Sequence, residues 1–320
     1  MTAVLWLSGA EVERLGVTPD EWIALAEHTL KWHAETSTEV PPKLGVHPPA
    51  GRHILAMPAL VAPLGAVGMK WISDFPGNRP RGLPSISGLI ILNDPATGFP
   101  RCVMDAGVVT AWRTAAVTGV AVRACARHPV ETVGLIGTGA QARSHLAILW
   151  SALPRLRHML IAGRDQAKAV AFCAAQQRQG MVLIPVGSPR EAIVDSDVIV
   201  TLTSDLSTSL LEPEWVKLGA TVIVLDNAAK ETRMLAAADR VVVDDRAGFE
   251  SEEGRRRFPS GFPKIDADIG EVLLGRKPGR TAPRERVLIV PLGIGALDIA
   301  GAVEVYQRAV TAGVGTMVSL

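Results

Sequence analysis

The sequence predicts an α/β protein with a parallel, Rossmann-type nucleotide-binding sheet in its middle. Residues from about 131 to 245 alternate short apolar runs with helical patterns, which is the signature of βαβ units. A glycine-rich turn directly follows the first of these runs. The chain has 320 residues, 48% of them apolar and 20% charged, so it is long enough for two domains of ordinary globular composition.

Six buried strands are expected in this region, because each run is short, apolar and bounded by polar or helical sequence. They cover residues 132–136, 158–162, 181–186, 198–202, 221–225 and 240–243. Leu146, Leu149 and Leu153 recur at helical spacing after the glycines, and a second helix is expected from about 166 to 179. Together these elements predict one nucleotide-binding sheet with helices on its faces.

The flanking sequence is less regular. An amphipathic helix is expected around 19–35, followed by Pro-rich and Gly-rich turns between short apolar runs, which indicates an α+β domain before residue 118. The last segment predicts a strand at 287–290, a turn at 293–295 and a helix from about Asp298. The polar stretch 246–257 is expected to be a solvated loop or short helix.

Charge and cysteine content exclude several classes of protein. Lys and Arg number 33 against 32 Asp and Glu, so the chain has no basic field for nucleic acid or a membrane surface. The longest uncharged run, 54–69, is too short to span a bilayer and contains two prolines. Charged residues at 11, 13 and 14 argue against a secretory signal, and we expect a cytoplasmic protein. The three cysteines have no close pairing, so we expect reduced thiols and no metal site.

The glycine-rich turn has the context of a dinucleotide fingerprint. Gly137, Thr138, Gly139, Ala140 and Gln141 follow a predicted strand and open a predicted helix. The first glycine permits the tight turn, and the second lets the backbone approach a pyrophosphate at the helix N-terminus. Ala142 can replace the third glycine where the helix packs on the strand. These residues are predicted to bind NAD or NADP.

The end of the second strand bears on the choice between the two cofactors. It has Arg164 and Asp165 where NAD-specific proteins place an acid for the ribose hydroxyls. Arg164 is suited to a 2′-phosphate, Asp165 to the ribose, and both are equally consistent with solvated residues at a helix start. The sequence favours NADP over NAD.

Hydride transfer requires a substrate held in place, and a carboxylate substrate requires fixed cations. The candidates are Lys43, Lys70 and Arg113, the last two lying in apolar sequence where an unpaired cation is costly. A structural salt bridge is the alternative for each. Asp226 lies at the carboxyl end of the fifth predicted strand, where ligands bind in such sheets, and is suited to proton transfer or to capping a helix.

Several separated motifs resemble the ornithine cyclodeaminase and mu-crystallin family over nearly the whole chain. They are Met57-Pro58, Lys70-Trp71-Ile72, Phe75-Pro76-Gly77-Asn78, Gly82-Leu83-Pro84, Asp94-Pro95-Ala96-Thr97-Gly98 and Arg113-Thr114-Ala115-Ala116. The similarity continues through the fingerprint and through residues 226–231, 275–280 and 293–298.

The resemblance implies a substrate-binding and dimerisation domain, residues 1–117 plus 296–320, around an inserted Rossmann domain, residues 118–295. It implies a homodimer acting at the α-carbon of a small amino or imino acid. By this resemblance Lys43, Lys70 and Arg113 bind the substrate carboxylate, and Asp226 and Lys70 are catalytic. Cofactor-contacting positions of the family match five residues here: Ser85, Ala140, Gln141, Thr203 and Lys230.

The function predicted is an NAD(P)-dependent oxidoreductase, of the amino-acid dehydrogenase or ketimine reductase type. A cyclodeaminase that releases ammonia is the alternative, and a non-catalytic crystallin-like binding protein is the third. Ornithine cyclodeaminases have an acid two residues before the Met of Met-Pro, suited to a distal ammonium, whereas this chain has Leu55. The segment 226–231 likewise differs from the branch that makes diaminopropionate precursors.

Overall fold

A computed structural model describes residues 3–49, 52–178, 180–203, 208–259 and 261–320. Its strands are β1 Ala3–Leu7, β2 Thr38–Glu39, β3 Leu44–Val46, β4 His53–Val61, β5 Ala66–Asp74, β6 Ile86–Asn93, β7 Pro100–Asp105, β8 Thr132–Ile136, β9 His158–Ala162, β10 Leu183–Val186, β11 Val198–Thr201, β12 Thr221–Val224, β13 Arg240–Val243, β14 Ala267–Asp268, β15 Val287–Val290 and β16 Thr316–Ser319.

Helices connect and cover these strands. They are α1 Gly9–Arg14, α2 Pro19–Ala34, α3 Ala106–Cys125, α4 Ala142–Ala152, α5 Gln166–Gln176, α6 Pro189–Ile193, α7 Thr232–Ala237, α8 Arg246–Glu250, α9 Glu252–Arg257, α10 Ile269–Leu273 and α11 Gly295–Ala312, with 3-10 turns at Ala62–Leu64, Pro76–Arg81 and Ala228–Lys230.

The first sheet is built from the two ends of the chain. Its order is β16-β1-β7-β6-β5-β4-β2, with β3 also paired to β4, and β4 to β7 form an antiparallel meander. Alternate residues of β4 and β5 are buried, as expected for strands with one covered face. Helix α11 packs on that face, which brings the C-terminal helix against strands from the N-terminal third.

The second sheet is parallel and has the order β10-β9-β8-β11-β12-β15-β13-β14. The prediction of an α/β protein with a Rossmann-type sheet is confirmed. The predicted number of six strands is wrong, because β15 inserts between β12 and β13 and β14 pairs beyond β13. Strand order reverses on the two sides of β8, so a switch point lies at its carboxyl end.

Two local expectations are refined by the structure. Helix α5 ends at Gln176, and the predicted end at Gln179 lies outside the described residues. The polar stretch 246–257 forms two short helices, α8 and α9, and Glu253 and Gly254 in it are buried instead of solvated. Over the described ranges, no helix is long and apolar enough to cross a membrane.

Candidate active site

A cavity of about 1330 Å³ lies between the two sheets. Pockets for single small ligands are typically about 300 to 1,000 Å³, so this one can accommodate a nucleotide together with a small substrate. The fingerprint turn and the carboxyl ends of β11, β12 and β15 line one side of it. The buried face of β4 and β5 and one face of α3 line the other.

The fingerprint turn has the geometry that a dinucleotide requires. Gly137 follows β8 with φ +123°, and a Cβ there would lie 2.7 Å from the carbonyl oxygen of Leu202 at the end of β11. Only glycine fits this close approach. Thr138, Gly139 and Ala140 line the cavity and lead into α4, whose N-terminus therefore faces the space where a pyrophosphate would bind.

Among the buried polar atoms of cavity-lining residues that lack a partner in the described structure, two lie near the fingerprint turn and the end of β5. They are the hydroxyl of Ser85, beyond the end of β5, and the Oε1 of Gln141, at the cap of α4. Buried polar atoms in native proteins are nearly always hydrogen-bonded, so a partner from a bound ligand is expected at both. The residues present therefore fit a dinucleotide cofactor.

The carboxylate-binding candidates lie where three elements meet. The Nζ of Lys70 on β5 is 2.8 Å from Asp298 Oδ2, and the Nε of Arg113 on α3 donates to Asp298 Oδ1 at 2.8 Å. Asp298 is fully buried in the first turn of α11, Lys70 is 1% exposed and Arg113 is 8% exposed. Asp298 accepts only from the Nε of Arg113, and the two terminal guanidinium nitrogens have no acceptor among the residues that the structure describes, so both are available to a ligand.

Lys43 joins this group through the turn after β15. Its Nζ donates to the carbonyl oxygen of Leu292 at 2.5 Å. The buried Asp244 accepts hydrogen bonds from the backbone N–H groups of Leu292 (2.9 Å) and Gly293 (2.5 Å). Gly293 has φ +80°, and a Cβ there would lie 2.6 Å from Nη1 of Arg113, so the turn packs directly on the guanidinium.

The electrostatics of this cluster lower the pKa of both lysines towards neutral pH. Burial, followed by the positive charge of Arg257, lowers the pKa of Lys43 to about 7. Burial and the nearby Arg113 lower the pKa of Lys70 to about 8, against the opposing effect of Asp298. Burial raises the pKa of Asp244, which faces Lys43. An anionic ligand would favour the charged form of both lysines.

Asp226 lies across the cavity, at the carboxyl edge of the parallel sheet. Its Oδ1 accepts from the Thr201 hydroxyl at 2.8 Å, and its Oδ2 accepts from Thr203 (2.6 Å) and from the Nζ of Lys230 (2.9 Å). The side chains of Asp226 and Lys230 are 1% and 3% exposed. Thr201 and Asp226 meet because β11 and β12 are adjacent and parallel. Asp226 is therefore fixed in orientation beside the nucleotide turn.

Arg164 and Asp165 follow β9 and are exposed. Asp165 caps helix α5, since its Oδ1 accepts from the backbone N–H of Lys168 at 2.9 Å. Neither residue lines the cavity in the described structure. The observed geometry corresponds to the alternative left open for this pair, solvated residues at the start of a helix.

Sequence reasoning missed three residues of this site. Asp298, marked only as the expected start of a helix, is the shared partner of Lys70 and Arg113. Asp244 holds the turn beside them. Thr110 lies one turn before Arg113 on α3 and lines the cavity. Its buried hydroxyl has no partner among the described residues. Thr110 could have been predicted from the sequence, because residues three apart on a helix lie on the same face and Arg113 was already a candidate.

Comparisons with known proteins match this chain over nearly its whole length. The chain is 33% identical to the nodulation efficiency protein NfeD of Rhizobium meliloti over 99% of its length and 98% of that protein. The solved Δ1-pyrroline-2-carboxylate reductase of Thermococcus litoralis, in complex with NADH and L-proline, matches with a TM-score of 0.90 and 27% identity, covering 98% of this chain and 100% of that one. An archaeal alanine dehydrogenase dimer with bound NAD matches with a TM-score of 0.87 and 30% identity, covering 99% of both chains.

The family model of ornithine cyclodeaminase and mu-crystallin matches residues 5–313. The separated motifs of the N-terminal third, the fingerprint and the last helix all fall within that range. The chain belongs to the ornithine cyclodeaminase/mu-crystallin family.

Proposed function

We propose that this protein is an NAD(P)-dependent oxidoreductase that transfers a hydride at the α-carbon of a small amino or imino acid. The observation that carries the proposal is the joint placement, in one cavity, of a dinucleotide turn, a cationic carboxylate site and the fixed carboxylate of Asp226. The pyrroline-carboxylate reductase and the alanine dehydrogenase of the same family support the reaction class.

The chain's own residues would divide the work of binding and proton transfer. A bound nicotinamide supplies or accepts the hydride. Arg113 offers its two terminal guanidinium nitrogens to the substrate carboxylate, and the ammonium groups of Lys43 and Lys70 add positive charge beside it. Ser85, Gln141 and the backbone of Thr138 to Ala140 would hold the cofactor. Lys70, fixed by Asp298, would orient the carboxylate so that the α-carbon faces the nicotinamide.

Asp226 would act at the substrate nitrogen. Its carboxylate is held by Thr201, Thr203 and Lys230, so it meets the substrate in a set orientation without needing to reorganise. In the oxidising direction it would accept a proton as the amine becomes an imine, and in the reducing direction it would return one. Lys230 would act through Asp226, its ion-pair partner at 2.9 Å.

For the cofactor we propose a preference for NADP over NAD. Arg164 supplies an exposed guanidinium after β9, and Asp165 next to it is engaged as a helix cap instead of being available to the ribose. Two related structures contain NADH and NAD, so a preference for NAD is the alternative that an experiment must distinguish.

We further propose a homodimer formed by the uncovered face of the first sheet. The register places Trp6, Val103, Ile91 and Met69 side by side across β1, β7, β6 and β5, with Leu89 and Trp71 in the next row. Trp6 is 41% exposed and Trp71 is 44% exposed. A contiguous apolar face of this kind marks an interaction surface. Residues 1–117 plus 296–320, which supply every strand of this sheet, would then be the dimerisation domain.

A screen of amino and imino acids with both cofactors tests the main proposal. Nicotinamide absorbance and ammonia are recorded together for each substrate. An oxidoreductase changes the absorbance steadily, whereas a cyclodeaminase releases ammonia with no net change in absorbance. Binding without either signal would support the non-catalytic alternative and overturn the proposal. Light scattering at micromolar concentration tests the dimer, and a monomer would contradict it.

A further inference from the structure

The cavity face of β4 and β5 consists of three rows of paired side chains, and the polarity of the side chains differs from row to row. Met57 is opposite Lys70, Leu55 is opposite Ile72, and His53 is opposite Asp74. Alternate residues share a face, so all three rows point into the cavity, about 6.7 Å apart at two residues per step. A substrate whose carboxylate binds at the Lys70 row therefore extends its side chain over an apolar row and towards a polar one.

The middle of this surface is apolar. Leu55, Met57 and Ile72 form a buried cluster of their own and are 4%, 4% and 8% exposed. No distal polar group of a substrate can be satisfied there, and methylene groups fit it well. The rows thus specify a short alkyl spacer between the α-carbon and any second polar group.

Arg257 extends from α9 to the far end of this surface. Arg257 lines the same cavity as all three rows, and after burial its charge is the next cause that lowers the pKa of both Lys43 and His53. Its Nε is 3.9 Å from Glu253 Oε1, and within the described ranges its terminal nitrogens have no hydrogen-bond acceptor. A guanidinium in a cavity with free donors is a ready site for a carboxylate.

The acids nearby already face other groups. Glu253 lies 3.3 Å from Nε2 of His47, and Asp74 lies 4.0 Å from Nε2 of His53. Arg52, beside them, lies over the ring of Phe75 at 5.8 Å and has no carboxylate at ion-pairing distance in the part of the chain that the structure describes. The far end therefore offers guanidinium groups more readily than free carboxylates.

The charge balance points the same way. The described residues that line the substrate end of the cavity include six cationic side chains: Lys43, Arg52, Lys70, Arg113, Arg256 and Arg257. Three carboxylates line it, those of Asp74, Asp244 and Glu253, and Asp298 lies directly behind Lys70 and Arg113. With both lysines in their charged form, which an anionic ligand favours, two positive charges remain in excess, and the α-carboxylate of a substrate matches one of them.

We propose that Arg257, assisted by Arg52, binds a second carboxylate at the end of the substrate side chain. Resting on the proposed function, this makes the preferred substrate an acidic amino or imino acid with a short alkyl spacer. A distal ammonium would face Arg257 and find both nearby acids already engaged. A purely apolar side chain would leave the terminal nitrogens of Arg257 without a hydrogen-bond acceptor.

Binding of matched ligands tests this subsite without requiring turnover. Calorimetry on the protein saturated with NADP, and separately with NAD, compares L-glutamate with L-glutamine, which have the same size and differ in charge. L-Aspartate and L-asparagine form a shorter pair, and L-ornithine tests a distal ammonium. Within at least one pair, we expect the acid to bind about tenfold more tightly, which corresponds to about 1.4 kcal/mol.

Arg257→Gln should bring the acid to the affinity of its amide. The matched control is Arg255→Gln, which removes the same charge from an exposed residue of the same helix that does not line the cavity. It should retain the preference. Equal affinity for acid and amide in both pairs, tighter binding of ornithine, or a preference that survives Arg257→Gln would overturn the proposal.

The outcomes separate this inference from the proposed function. A preference for the acid that Arg257→Gln abolishes, found in a protein that turns over no substrate, would support the subsite and refute the oxidoreductase. Steady nicotinamide turnover of neutral amino acids, with no preference for a charged side chain, would support the oxidoreductase and refute the subsite.

Discussion

Replacing Asp298 by Asn removes one negative charge from beneath two buried cations while keeping the shape of the side chain. Lys70 and Arg113 each lie 2.8 Å from this carboxylate, and the side chains of Lys70 and Asp298 are 1% and 0% exposed. Breaking a buried ion pair by removing one partner costs about 3 to 5 kcal/mol. Since the Asn oxygen can still accept from Arg113, we expect Asp298→Asn to lower the free energy of unfolding by about 3 kcal/mol.

Urea denaturation of the unliganded protein measures this loss. Glu304→Gln is the control, because Glu304 lies on the same helix and pairs with Arg308 at 2.7 Å, but its side chain is 33% exposed. An exposed pair contributes about 0 to 1 kcal/mol. If the two variants lose the same small amount, the buried cluster does not hold its cations as described.

The dependence of this loss on pH has a definite sign. The pKa of Lys70 is lowered to about 8 in the folded protein, whereas unfolded lysine titrates at about 10.4. Between these values the unfolded chain binds more protons, so the contribution of Lys70 makes stability rise with pH. Near pH 7 the ammonium is charged in both states and Asp298→Asn shows its full cost. Towards about pH 10 Lys70 is neutral when folded, and the difference from wild type should shrink.

Three further predictions concern catalysis and the cofactor. Asp226→Asn should still bind substrate, but its turnover should fall by about 100- to 10,000-fold, which is the usual contribution of a positioned proton-transfer group. Near-normal turnover in the folded variant would show that Asp226 takes no part in the mechanism. The kcat/KM for a carboxylate substrate should fall as pH rises through about 7 and then about 8, because Lys43 and Lys70 lose their charge there. Lys43→Arg should remove the first decline, and an unchanged profile would contradict the role of Lys43 in binding the carboxylate. Arg164→Ala should weaken NADP and spare NAD, and a wild-type preference for NAD of tenfold or more, about 1.4 kcal/mol, would show that Arg164 does not select the cofactor.

Local patterns in the sequence determined much of this protein. The strand before Gly137 and the helix after it are local patterns, and the turn between them has a positive φ that favours glycine, so the fingerprint turn of the candidate dinucleotide site was predictable. The separated motifs were sufficient to assign the family, which the comparisons confirm. Lys70 and Arg113 stood out because charge within apolar sequence is costly unless it is paired.

What the sequence left open depends on contacts between residues far apart in the chain. Asp298 is 185 residues from Arg113 and meets it only because α11 returns to pack on the first sheet. The stretch 246–257 has the composition of a solvated loop, yet its two short helices lie over the cavity and bring Glu253 and Arg257 to the substrate end. Composition reports how polar a segment is, whereas the packing of distant elements decides which of its side chains face a ligand. Only the tertiary structure therefore identified Asp298 as the partner of Lys70 and Arg113, and residues 246–257 as a wall of the cavity.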